Sequence, residues 1–359
     1  MGFVRRPLTL GHPEGDRPLT NPSRSGLPVL DLGDFLSPGA ARRRFVDSLR
    51  GTAHDIGFFY LVGHGVPESL IAEGFAQSRR FFDRPDSEKQ AIAMVNSPHF
   101  RGYTAPGHEY TRGAPDWREE LDIGLEAPAL PRAPDAPAWT RLQGPNQWPA
   151  GVPELRPALL SWQAEAIRVT STLLRAFSLA LGQAEDSFQP LLDGVSNQLL
   201  KTIHYPGRDR TGSDQGCGPH KDGGFLTLLR QHEIGGLQVE TQQGWIDVPP
   251  LDGTFVINIG ELLELATDGY LRATMHRVQA PPAGIGRQSI AFFLGARPDR
   301  TVPRLTLPPA LAARARGAAI DPDNPLFRDV GANILKGRLR SHPDVARRHY
   351  ADLLEQIPP

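Results

Sequence analysis

The chain has a single cysteine, Cys217, among its 359 residues. An internal disulfide is therefore excluded, and a reducing compartment fits. It has no run of 18 apolar residues, so no transmembrane helix is expected. Neither sign of charge dominates: 39 basic and 40 acidic residues give a formal net charge of −1. No overall field would draw the protein to nucleic acid or to an anionic membrane, and a small-molecule partner is expected instead. The opening "MGFVRRPLTLGHPEG" lacks an apolar segment behind its paired arginines, and Arg6 stands where a myristoylation site needs Ser or Thr. Neither a signal peptide nor a lipid anchor is expected, and a cytoplasmic location is. No internal repeat is visible.

Turn formers, by contrast, are plentiful. Glycine (37) and proline (35) make up about a fifth of the chain, turn-rich but short of low complexity. Residues 1–26 read as a loose arm and 27–150 as an N-terminal region. That region holds a strand in "LPVLDL", a helix ended by Gly57, a buried strand in "FFYLVGHGV" and a helix from Pro67 to Phe82. Residues 126–154 read as an irregular connection. Within 151–195, Leu155, Leu159, Trp162, Ala166, Val169, Leu173, Phe177 and Leu181 mark one face of a long helix stopped by Gly182. From 196 to 300 short apolar runs separated by turns predict an antiparallel sandwich or barrel. Residues 301–359 are read as a helical extension, with a helix opened by Pro343. "WREELD" (117–122) reads as a solvated charge run.

"GPHKDGGFLTLL" sets His220 and Asp222 two apart at the mouth of an apolar run. On a strand, residues i and i+2 share a face, so the two side chains would project together and Lys221 away. A surface histidine beside a turn aspartate would account for the pair equally well. A third ligand must come from another strand, and His276 in "LRATMHRV" offers it; a satisfied core histidine is the alternative. His232 is a poorer candidate, because "HEIGG" has Gly236 where a zincin needs histidine. Two imidazoles and a carboxylate suit Fe(II) and leave positions open, whereas a closed zinc site needs a fourth ligand. Eleven residues past His276, Arg287 and Ser289 form the only Arg-x-Ser of the chain. If buried, that guanidinium needs a counter-charge, and a carboxylate gripped bidentately with help from the serine would supply it.

In this order and spacing, His220-x-Asp222, His276 and Arg287-x-Ser289 resemble the Fe(II)/2-oxoglutarate oxygenases of the isopenicillin N synthase type. "IGFFYLVGHGV", "FRGYT" and "LKGRLRSHPDVARRHY" extend the resemblance over residues 27–355. It implies an α+β, mainly β fold, a double-stranded β-helix (jelly roll) with flanking helices. It also implies iron on His220, Asp222 and His276, and the distal carboxylate of 2-oxoglutarate on Arg287 and Ser289, with Tyr205 assisting. Arg101 and Tyr103 of "FRGYT" are candidate substrate contacts; a surface arginine and a packing tyrosine are the alternative. Lys221, Gly223 and Glu261 depart from the family's commoner residues, though none is a ligand. The implied reaction couples decarboxylation of 2-oxoglutarate by O₂, to succinate and CO₂, with oxidation of a substrate C–H bond by hydroxylation, desaturation or cyclisation. The rival readings are an Fe(II) oxidase of the same fold that needs no 2-oxoglutarate, and a non-catalytic binding protein. The organic substrate and the oligomeric state are not encoded in any motif.

Overall fold

The computed structural model describes residues 26–354 apart from 134, 195, 209–214, 319–320 and 322–323. The arm expected over 1–26 lies almost wholly outside the described residues.

Fourteen strands are described, and alternation of apolar with polar or small residues decides which face each turns inward. The N-terminal half supplies β1 (Val29–Asp31), β2 (Phe58–Val62), β3 (Gly102–Thr104), β4 (Tyr110–Thr111), β5 (Ala114–Pro115) and β6 (Glu119–Gly124). The second half supplies β7 (Gln198–Tyr205), β8 (Gln215–His220), β9 (Leu226–Gln231) and β10 (Leu237–Thr241). It continues with β11 (Gly244–Asp247), β12 (Phe255–Ile259), β13 (His276–Gln279) and β14 (Arg287–Leu294). They form an eight-stranded sheet, ordered β1-β2-β12-β9-β14-β7-β6-β3, and a four-stranded sheet, β11-β10-β13-β8; β4 and β5 pair separately. The chain is thus mixed α and β, with the strand-dense half where the short apolar runs predict it.

On β14, Ile290, Phe292 and Leu294 enter the main core, where Phe75, Trp162, Val169 and Leu173 come from the helices Glu68–Phe82 and Leu155–Ala180. The alternate residue Ala291 joins Ile203, Tyr205 and Val256 in a second core with Cys217, Leu237, Val239 and Val278 of the small sheet. The large sheet therefore packs helices on one face and the small sheet on the other, and Arg287 and Ser289 belong to the latter face by the period of two. The long helix follows its sequence pattern and ends before Gly182, which has φ +70°.

Several expectations need correction. "LPVLDL" is a strand only over Val29–Asp31, and Asp31 then caps a short helix by accepting from the Gly33 N–H at 2.8 Å. "LRATMHRV" becomes strand only at His276, because Arg272 N–H and the Thr274 hydroxyl bond instead to the carbonyls of Ala53 and Ile56. The helix opened by Pro343 is interrupted at Tyr350, giving Pro343–His349 and Ala351–Leu354, and the helices Pro309–Ala312 and Val330–Ser341 precede it in the extension. The largest correction concerns "WREELD". Glu119–Gly124 is the buried strand β6, with Glu120 and Asp122 at 0 % exposure, because cations from other elements reach them.

β8 stops at His220, so Asp222 lies in a turn rather than on that strand. The turn is held from below: Glu261 N–H donates to the Asp222 carbonyl (2.7 Å), and Gly260 N–H to that of Phe225 (2.9 Å). Gly260 must be glycine, since a Cβ there would lie 2.1 Å from the Gly224 carbonyl oxygen. Gly260→Ala is expected to destabilise the protein by about 1–3 kcal/mol, the range for overpacking a site that cannot relax. Chemical denaturation checks this, and an unchanged midpoint would mean that the turn yields freely.

Candidate active site

His276 is the first residue of β13 and is aligned with His220, the last of β8. Their rings are 4.2 Å apart between centroids. Asp222 curls back from its turn so that Oδ1 lies 3.4 Å from His220 Nε2 and 3.7 Å from His276 Nε2. One donor atom from each residue falls within a 4.8 Å cluster, a set that could hold a metal ion. The second carboxylate oxygen, Oδ2, accepts from Asn258 Nδ2 (2.7 Å) and from the Thr227 hydroxyl. Thr227 and Asn258 are aligned on β9 and β12, so the large sheet orients a carboxylate that faces the small one.

The outer imidazole nitrogens are fixed by backbone. His220 Nδ1 is 2.8 Å from the Gly218 carbonyl and His276 Nδ1 is 3.1 Å from that of Thr274. Each therefore donates from Nδ1 and leaves Nε2 for a metal. Burial opposes ionisation of Asp222, yet the two imidazoles and Asn258 hold its carboxyl well below the usual carboxylate range. Burial, with the neighbouring His220, pushes His276 down to about 4, so it is the neutral ligand form. On His220 burial also opposes a proton, but Cys217 and Asp222 favour one and prevail. A metal ion at Nε2 would displace that proton.

Arg287 is 1 % exposed and stands opposite Tyr205 across β14 and β7, its guanidinium 4.6 Å from the tyrosine ring centroid. It donates to Ser289 Oγ (3.3 Å) and Gln231 Oε1 (3.0 Å), while its Nε has no acceptor among the described residues. No carboxylate pairs with it among the described residues, and burial lowers its pKa. Gln231 is a site residue that the motifs do not reveal. Its signal is register alone: it is aligned with Ser289 on the neighbouring strand, and its own amide is anchored by the Val248 carbonyl at 2.9 Å. Cys217 links the two groups, with Sγ 3.6 Å from His220 Nδ1 and within electrostatic reach of Arg287.

Of the two "FRGYT" residues, Tyr103 turns to the helix side of its sheet. There it packs on Phe81, and its hydroxyl donates to Glu119 at 2.7 Å. Arg101 instead lines a cavity of about 340 Å³, its guanidinium held by the carbonyls of His99 and Phe100.

A buried ionic network runs beside the triad. Lys201 Nζ lies 2.6 Å from Glu120 and 2.9 Å from Glu109, Arg118 reaches Glu109 at 2.6 Å, and Arg338 reaches Asp122 at 2.8 Å. Asp116 ties the network to the small sheet by accepting from the Gly218 N–H (2.9 Å), two residues before His220. Glu109, Glu120 and His342 also cluster in a way that could hold a cation, but the Lys201 ammonium already occupies the carboxylates.

Comparison with known proteins agrees with this geometry. Residues 27–151 match a family described as "non-haem dioxygenase in morphine synthesis N-terminal", and residues 196–296 match the "2OG-Fe(II) oxygenase superfamily". A 2-oxoglutarate-dependent dioxygenase, frbJ, of Dothideomycetidae sp. (strain 11243) is 36% identical over 354 residues, covering 93% of this chain and 95% of that one. The chain belongs to the Fe(II)/2-oxoglutarate-dependent oxygenases. Its relatives include homoarginine-6-hydroxylase 2-ODD-C23 of Glycine max, 33% identical over 71% of this chain and 81% of the relative. Among solved structures, a full-length Neurospora crassa protein in complex with alpha-KG superposes with a TM-score of 0.70 at 25% identity, covering 87% of this chain and 95% of that one. This oxygenase is accordingly an enzyme that uses Fe(II), 2-oxoglutarate and O₂ on a small organic substrate.

Lys201→Met would strand buried carboxylates without their cation. We expect a loss of about 3–5 kcal/mol in unfolding free energy, measured by urea titration; a loss under about 1 kcal/mol would show that the network tolerates an unpaired charge.

Proposed function

We propose that His220, Asp222 and His276 hold the iron, and that Arg287, with Ser289 and Tyr205, seats the distal carboxylate of 2-oxoglutarate. The observation that carries this reading is the guanidinium of Arg287, buried beside the triad with no anionic partner among the described residues and an unsatisfied Nε. A buried cation of this kind is costly until an anion joins it, and a carboxylate matches its planar fork. Gln231 and the Tyr205 ring fix the plane of that fork, and Ser289 adds a hydroxyl beside it. Iron and 2-oxoglutarate, when bound, supply the oxidising power, with decarboxylation of the keto acid to succinate and CO₂.

With three protein ligands, an iron held there would keep coordination positions for the co-substrate and O₂, next to the C–H bond to be oxidised. Hydroxylation is the outcome we favour, since one relative is named a homoarginine-6-hydroxylase. The chain's own part is to orient the ligands through Asn258, Thr227 and the two backbone carbonyls, and to keep water from the carboxylate pocket.

We read the two sheets as a double-stranded β-helix. From Gln198 to Leu294 the strands β7, β9, β12 and β14 fall in the large sheet and β8, β10, β11 and β13 in the small one. In this reading residues 196–300 are the catalytic core, the helix within 151–195 supports it, and 27–150 and 301–359 flank it. With one cysteine and nearly balanced charge, the enzyme is taken to be cytoplasmic, with neither nucleic acid nor membrane as a partner.

Asp222→Ala is expected to lose Fe(II) binding and turnover together, measured by equilibrium dialysis and succinate release. Arg287→Gln should raise the 2-oxoglutarate concentration needed for half-maximal rate by about 10- to 100-fold, the value of a hydrogen-bonded charge, with iron affinity retained. An unchanged 2-oxoglutarate requirement would remove Arg287 from this role.

A further inference from the structure

The cavity lined by Arg101 has mostly apolar walls, among them Leu125, Leu130, Trp139 and Leu142. Its position relative to the triad follows from strand register. A Cβ on Gly124 would meet the Arg101 guanidinium at 2.2 Å, so the arginine lies flat over that glycine at the end of β6. Gly124 is aligned with Leu199 of β7, Leu199 with Phe293 of β14, and Phe293 with Thr227 of β9. Thr227 is the residue whose hydroxyl holds Asp222. Gly124, beneath Arg101, and Thr227, which holds Asp222, thus sit at one level of the large sheet, three strands or about 14 Å apart before curvature shortens the path.

The bonding of Arg101 is lopsided. Nη1 is satisfied by two carbonyls, those of His99 (2.9 Å) and Phe100 (3.3 Å). The other edge is not: among the described residues Nη2 has only a 3.5 Å contact with the Leu142 carbonyl, and Nε has no acceptor. That Nε–Nη2 edge is the one that grips a carboxylate bidentately. The acids within electrostatic reach are engaged elsewhere, Asp122 by Arg338 at 2.8 Å and Glu126 by Asn146 at 2.6 Å. Burial and the like charge of Arg338 bring Arg101 down to about 10, as befits a cation without a matching anion. Arg297, the cavity's other arginine, is already spanned by both oxygens of Asp299.

We infer that this cavity is the substrate subsite and that the substrate is an organic acid, its carboxylate paired with the Arg101 guanidinium that lines the cavity and its apolar body lying along β6 and β7 toward the triad. The inference rests on the oxygenase reading for the triad, and it adds the chemical class of what is oxidised.

The test uses the Fe(II)- and 2-oxoglutarate-loaded enzyme under anaerobic conditions, so that Arg287 is occupied and cannot capture the probe. The probes are 3-phenylpropionate and its neutral amide, followed by calorimetric titration. The acid is expected to bind at least about tenfold more tightly than the amide, as a charge-assisted hydrogen bond implies. Arg101→Gln should abolish that preference, and Arg101→Lys should keep part of it. Ala127→Trp, which fills the cavity from another wall and leaves Arg101 in place, should block the acid; it serves as the second arm if the unfolding temperature shows that Arg101→Gln does not fold. A wild-type enzyme that treats acid and amide alike, binding both or neither, overturns the inference. So does a preference that survives Arg101→Gln or Ala127→Trp. Failure of the oxygenase reading would show separately, as no release of succinate from 2-oxoglutarate in air.

Discussion

The site depends on how the Asp222 carboxylate is divided. One oxygen is tied to the large sheet through Asn258 and Thr227, and the other is left between two imidazoles carried by the small sheet. Neither sheet alone could do this, because a carboxylate that close to apolar core stays ionised only with hydrogen bonds on one side and polar or positive partners on the other. The packing of the two sheets is therefore also the assembly of the site. Gly260 and Gly224, whose backbones touch under the Asp222 turn, set the height at which that carboxylate stands.

The same arrangement governs the second charged group. Arg287 is buried by the core that joins the sheets, and its plane is fixed by Tyr205 on one neighbouring strand and Gln231 on the other. Charges elsewhere in the interior are matched within the chain, as Lys201, Arg118 and Arg338 are by Glu109, Glu120 and Asp122. Arg287 and Arg101 stand apart from that pattern: each is surrounded by dipoles, with no carboxylate in contact among the described residues. These two guanidinium groups are the ones for which an anion from outside is proposed, 2-oxoglutarate on Arg287 and the substrate on Arg101.

Much of this was legible in the residues, and the misses have physical causes. His220, Asp222, His276, Arg287 and Ser289 are spaced as a motif, and the long helix is marked by its own periodicity, so both could be read locally. The strand over Glu119–Gly124 could not. Its acids look solvated until Lys201, some 80 residues later, and Arg338, more than 200 residues later, are brought against them. Gln231 was invisible for a related reason, since only the alignment of β9 with β14 puts it on Arg287. Tyr103 and Arg101 are neighbours in "FRGYT", yet Tyr103 turns to the helices while Arg101 lies over Gly124 toward the cavity; the sequence alone did not say which would meet it.

The most direct test of the account is an anaerobic titration of Fe(II) into the enzyme with and without 2-oxoglutarate, followed by visible absorption. The account predicts a metal-to-ligand charge-transfer band that appears only when both are present and saturates at one iron per chain. Absence of the band, or a spectrum indifferent to 2-oxoglutarate, would contradict it.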